Sequence, residues 1–123
     1  MGLTYVTVSL KPPGSHAGSY EALFLVDTGA TDSMAPASEL LRAGITPVGR
    51  SSYELADGST IAYDFGLAQI EFLGEITAGR VIFGPEGVAP ILGVTALESI
   101  GVTVDPANQQ LKRLPAIPLK RAS

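Results

Sequence analysis

The sequence contains no cysteine, no tryptophan and a single histidine. Without thiolates there is no disulfide framework, no cysteine nucleophile and no Cys-ligated zinc or iron–sulfur centre. With His16 alone, one chain cannot assemble a two-His metal site, and a Ser-His-Asp triad would have to use that residue. It lies in Lys11-Pro12-Pro13-Gly14-Ser15-His16-Ala17-Gly18-Ser19, whose Pro and Gly content reads as a loop and a poor platform for a positioned base. Charge is also scarce, at 16% of 123 residues. All twelve acids but only four of the eight Lys and Arg fall in residues 1–111, so that stretch carries a net −8. Such a body offers no basic face to nucleic acid or to an anionic membrane. The remaining four, Lys112, Arg113, Lys120 and Arg121, gather in the last twelve residues, where a solvated tail is expected. Long hydrophobic runs are missing as well. Met1 to Leu10 has neither a positive leader nor an apolar stretch of signal-peptide length, and nothing later is long enough to span a membrane. The expectation is a cytoplasmic protein with no membrane or nucleic-acid partner.

What is present is a foldable core: 46% hydrophobic residues and a mean hydropathy of +0.29, in a chain of single-domain length. Short runs rich in Val, Ile, Tyr, Phe and Thr recur between Gly and Pro, predicting a mostly β chain. Strands are expected at 4–10, 20–26, 51–55, 59–63, 66–72, 77–83, 102–105 and 109–114. Asp57-Gly58 predicts a hairpin with a type I′ turn, and Asp105-Pro106-Ala107-Asn108 a second turn. Two short helices are expected, Pro36 to Ala43 and Val94 to Ile100, each stopped by a glycine, Gly44 and Gly101. The domain is placed at 1–114, with 115–123 as a flexible basic tail.

Chemistry is concentrated in Leu23-Phe24-Leu25-Val26-Asp27-Thr28-Gly29-Ala30-Thr31-Asp32-Ser33. A carboxylate directly after four apolar strand residues is costly unless it is paired or used. Thr28 adds a hydroxyl that both donates and accepts, and Gly29 lets backbone approach closely. On its own the triplet reads first as an Asx turn closing a strand. Its surroundings decide for function. Val26 to Ser33, followed by Ile91-Leu92-Gly93 and a short helix ending Leu97-Glu98-Ser99-Ile100-Gly101, resembles the retropepsin-like aspartic proteases over about residues 4–111.

The resemblance implies a closed β-barrel in which the Asp-Thr-Gly motif ends one strand. Ile91, Leu92 and Gly93 would pack beneath it in a ψ-shaped loop, and a hairpin flap at 51–63 would cover the site with Ala56, Asp57, Gly58 and Ser59 at its tip. It implies Asp27 as catalytic residue, with Thr28 bracing the two loops across a dimer axis and Gly29 contacting substrate backbone. Ala30 and Asp32 would line the cleft, although Asp32 reads equally as a cap for the helix near Pro36. Tyr53 and Tyr63 flank the flap, as packing or as subsite walls. No cofactor or metal is implied.

Peptide hydrolysis by this chemistry needs two carboxylates sharing a proton, and the chain holds one Asp-Thr-Gly. The resemblance therefore implies a homodimer with Asp27 from each chain, acting on peptide or protein substrates. Ala30 lacks the hydroxyl that pepsin-like relatives often place there, which points to a dyad working in mildly acidic to neutral solution. Val94 and Thr31 stand where viral members carry an ion pair, so one brace of the dimer is missing. A non-catalytic dimeric peptide-binding or assembly module on the same fold is the competing reading. A phosphoryl-transfer nucleophile is disfavoured, since position 29 is Gly and helices are few.

Overall fold

Alternation builds the barrel wall. In the computed structural model, which describes residues 3–15 and 18–119, strand β1 (Tyr5–Lys11) turns Val6, Val8 and Leu10 inward and leaves the residues between them at least partly open to solvent. It pairs antiparallel with β2 (Tyr20–Asp27), Val6 opposite Phe24. Strand β2 then runs parallel to β7 (Ile91–Gly93), which sets Asp27 beside Gly93. Strand β7 meets β3 (Ser33–Pro36) antiparallel at Met34, and β3 lies parallel to β6 (Glu75–Gly84). Strand β6 pairs with the long β5 (Thr60–Phe72), whose far half returns to β1 with Leu10 opposite Ile70. Six strands thus close on themselves. Closure removes the exposed edges that an open sheet would present.

Strand β4 (Gly49–Glu54) stands outside this ring and pairs with the near half of β5 as a projecting hairpin. Helix α1 (Ala37–Arg42) follows β3, and α2 (Val94–Ser99) follows β7. A separate two-stranded sheet pairs β8 (Val102–Asp105) with β9 (Gln110–Arg113). Val8, Leu10, Phe24, Leu40, Val81, Leu92 and Leu97 are fully buried together, so both helices and the central β7 share the barrel core. Among the described residues no helix is long and apolar enough to cross a membrane. His16, Lys120 and Arg121 lie outside the described residues.

The mostly β expectation holds, with several local corrections. Residues 59–63 and 66–72 belong to one continuous strand. Gly66 does not break it: a Cβ there would meet the Thr46 carbonyl oxygen at 2.8 Å and the Phe83 ring at 3.0 Å, so the glycine serves close packing. The turn at 57–58 is not type I′. Only Gly58 has positive φ (+87°), and its N–H donates to Leu55 O while Leu55 N–H donates to Ser59 O. This is a three-residue loop with glycine at the left-handed position. The two-residue turn with both φ positive lies instead at Leu73 (55°) and Gly74 (76°), joining β5 to β6. Arg113 of β9 holds that turn, donating to Leu73 O at 2.5 Å and pairing with Glu75 at 3.0 Å. Finally, Pro36 closes β3 and caps α1 with extended backbone.

Candidate active site

Asp27 is the last residue of β2, half-buried, and the chain turns sharply after it. The Gly29 N–H donates to Asp27 Oδ1 at 2.9 Å and the Ala30 N–H donates to the Asp27 carbonyl at 3.1 Å. The first bond fixes the carboxyl group relative to the turn, and the second closes the turn itself. Thr28 and Gly29 face outward.

The β7–α2 junction carries this turn from below. Val94 N–H donates to Ala30 O at 2.7 Å and Thr95 N–H to Thr31 O at 3.3 Å, while Gly93 N–H donates to Ser33 Oγ at 3.0 Å. Ser33 is only 2% exposed, so this bond satisfies an amide that water cannot reach. A Cβ on Gly93 would lie 2.6 Å from Thr31 O and from the Asp32 carbonyl carbon. The two chain segments therefore touch backbone to backbone, which only glycine permits. These main-chain bonds brace the loop at the positions where Val94 and Thr31 lack an ion pair.

Asp32 does not cap α1, which has no side-chain cap; Glu86 instead accepts from the Ser38 N–H at 3.1 Å. Asp32 Oδ2 accepts a hydrogen bond from the Tyr53 hydroxyl at 3.0 Å, tying β4 to the Asp27 loop. Burial, and then the hydrogen bond to Asp32, hold the Tyr53 hydroxyl above the ordinary tyrosine value of 10.0. The Tyr63 ring lies 6.4 Å from that of Tyr53, and Arg80 sits 4.0 Å over the Phe65 ring while donating to Ser51 Oγ at 3.2 Å. At the hairpin tip Ala56, Asp57, Gly58 and Ser59 are exposed. Ser59 donates through its hydroxyl (2.5 Å) and its N–H (2.9 Å) to Asp57 Oδ1, bonds that hold the Asp57 carboxyl below the usual range.

A family model described as aspartyl protease matches residues 13–108, spanning the Asp27 turn, the hairpin and the Ile91–Gly93 strand. The chain belongs to the aspartyl protease family. No curated protein matches it. As an aspartyl protease it acts on peptide bonds; its fold sets Leu25, Val26 and Asp27 beside Ile91, Leu92 and Gly93 and joins Ala30 to Val94, leaving Thr28 and Gly29 exposed on the turn between. Asp32 adjoins them through Tyr53, whereas Ala56 to Ser59 stand apart at the hairpin tip. Two positions of this aspartyl protease escaped the sequence. Ser33 reads as one more turn residue, and the Tyr53–Asp32 bond crosses elements with no local pattern to announce it.

Tyr53→Phe removes that bond and keeps the ring. The expected cost is about 1 kcal/mol in urea unfolding. Because folding holds the Tyr53 hydroxyl in its neutral form, its contribution is complete below pH 10.0 and is lost as pH rises through the folded value. Parent and Tyr53→Phe stabilities should therefore converge above about pH 10; a gap that stays constant in strong alkali would exclude this role for the hydroxyl.

Proposed function

We propose that the protein is a retropepsin-like endopeptidase whose dyad is Asp27 from each of two chains. The observation that carries this is Asp27 at a strand end, held by Gly29 and seated on Gly93, in a chain with a single Asp-Thr-Gly. One carboxylate takes a proton from water as the water oxygen attacks the scissile carbonyl carbon. The other, protonated, gives its proton to the carbonyl oxygen, producing a tetrahedral diol. The newly protonated carboxyl then gives its proton to the amide nitrogen while a diol hydroxyl gives its proton to the other carboxylate. The C–N bond thereby breaks to an amine and a carboxylic acid, and the dyad is again singly protonated. The two ionisations belong to the pair, so the rate profile against pH is bell-shaped.

Thr28 would brace the two turns at the axis, with Gly29, Ala30 and Asp32 along substrate backbone. The β4–β5 hairpin would act as the flap, with Ala56, Asp57, Gly58 and Ser59 adding a strand to an extended peptide. Residues 1–114 would form the protease domain and 115–123 a tail beyond it.

The test is mass-spectrometric detection of cuts in a diverse peptide library, with concentrated protein and its Asp27→Ala variant, from acidic to neutral pH. Cuts made by the parent alone support the dyad. Equal cutting by both chains sinks it.

A further inference from the structure

We propose that Arg80 is a positioning residue for peptide cleavage: it grips the base of the β4–β5 hairpin and sets how that hairpin stands toward the Asp27 loop. The inference rests on the flap reading proposed above.

The hairpin needs such a grip. Among the described residues β4 pairs with no strand other than β5, so the ring of the barrel does not itself hold β4 in place. Alternation gives the hairpin two faces. Gly49, Ser51 and Tyr53 of β4 are part-buried, and the first two lie opposite Phe65 and Tyr63 of β5; Arg50, Ser52 and Glu54 between them are exposed. The part-buried face is the one that Arg80 meets.

Arg80 belongs to β6, diagonal to Phe65, whose direct partner is Ile82. Its guanidinium lies 4.0 Å from the centre of the Phe65 ring and donates from Nη1 to Ser51 Oγ at 3.2 Å. One side chain of the ring thus touches both strands of the hairpin. A Cβ on Gly49 would stand 2.5 Å from Phe65 Cζ, so the glycine leaves the room in which that ring lies beneath Arg80. The Arg80 charge also reaches the Tyr53 hydroxyl, where it opposes the upward push of Asp32. Tyr53 then carries the connection to the Asp27 loop through its bond to Asp32 at 3.0 Å. Arg80 differs in this from the other cations around it. Lys11, Arg42, Arg50 and Arg113 each pair with a carboxylate, whereas Arg80 makes no such pair among the described residues and spends its guanidinium on the hairpin. A hairpin held in this way gives up less freedom when an extended peptide joins it, so loosening it shows in KM more than in kcat.

The experiment compares the parent with Arg80→Gln and, as a control, Arg42→Gln, which removes an exposed guanidinium paired with Glu39 on α1. Amide hydrogen exchange and steady-state cleavage of one peptide are measured on each, and the thermal midpoint verifies folding. In Arg80→Gln the amides of residues 49–65 should exchange about 10-fold faster, with those of β1 to β3 unchanged. KM should rise about 10-fold, with kcat within about threefold of the parent. Arg42→Gln should match the parent in both. A parent-like KM in folded Arg80→Gln overturns the proposal, whether or not the hairpin loosens. Faster exchange throughout the barrel also overturns it, because Arg80 then serves the fold at large. A parent that cleaves no peptide overturns the endopeptidase reading and this role in cleavage with it, while the exchange at 49–65 still shows whether Arg80 holds the hairpin.

Discussion

Asp27→Asn is expected to cut peptide cleavage by about 10³-fold or more while leaving the fold in place. The carboxamide keeps the shape and the acceptor oxygen that receives the Gly29 N–H at 2.9 Å. It can neither deprotonate water nor shuttle a proton at catalytic pH. The stronger consequence appears on mixing. If subunits exchange freely, equal amounts of parent and Asp27→Asn chains leave about one quarter of dimers with both carboxyls. A nine-to-one excess of the variant leaves about 1%, against about 10% if each parent chain worked alone. Activity that scales linearly with the parent fraction would remove the shared dyad from consideration, and titrating the variant into a fixed total of protein distinguishes the two laws directly.

Gly93→Ala is expected to be the most damaging small substitution for stability. The added methyl group would stand 2.6 Å from two backbone atoms of the Thr31–Asp32 segment, which cannot swing aside as a flexible side chain can. Relief requires β7 to separate from the loop, breaking the buried bond from the Gly93 N–H to Ser33 Oγ and the bonds from Val94 and Thr95. We expect a loss of about 3 kcal/mol or more, a large share of a typical domain's total, visible in urea unfolding. Gly79→Ala is the matched comparison. Its Cβ would find only Ile70 Cδ1, at 4.0 Å, in an ordinary strand conformation, and a change within about 0.5 kcal/mol is expected. Comparable losses at both positions would show that the tight junction at Gly93 is not what matters.

The sequence made the Asp27 turn legible because that chemistry is local: carboxyl, hydroxyl and glycine in succession after an apolar run. Ile91-Leu92-Gly93 was legible only by likeness. Three residues cannot declare a strand by alternation, and β7 exists because β2 and β3 pair with it on either side. Strand β3 was hidden for the same reason, and Pro36 at its end reads as a helix start. The type I′ turn was misplaced because Asp-Gly is the usual sign of one, whereas Leu73 takes positive φ in a turn held by Arg113, forty residues away. The Tyr53–Asp32 bond had no sequence signature at all, since the packing that joins β4 to the Asp27 loop is tertiary.

The pairing of Asp27 with Gly93 also has a temporal consequence. Strand β1 can meet β5, Ser9 opposite Glu71, before β7 exists, but the ring then stays open between β2 and β3, and the Asp27 turn gains its footing only when β7 arrives. Long-range pairings of this kind form slowly and late, after the loops between them have closed. During synthesis, a chain whose residues up to about 90 have emerged from the ribosome has most of its strands to hand and still lacks the support on which the Asp27 turn rests. The order of strands along the gene therefore leaves the Asp27 turn unseated until the Ile91–Gly93 strand has been made.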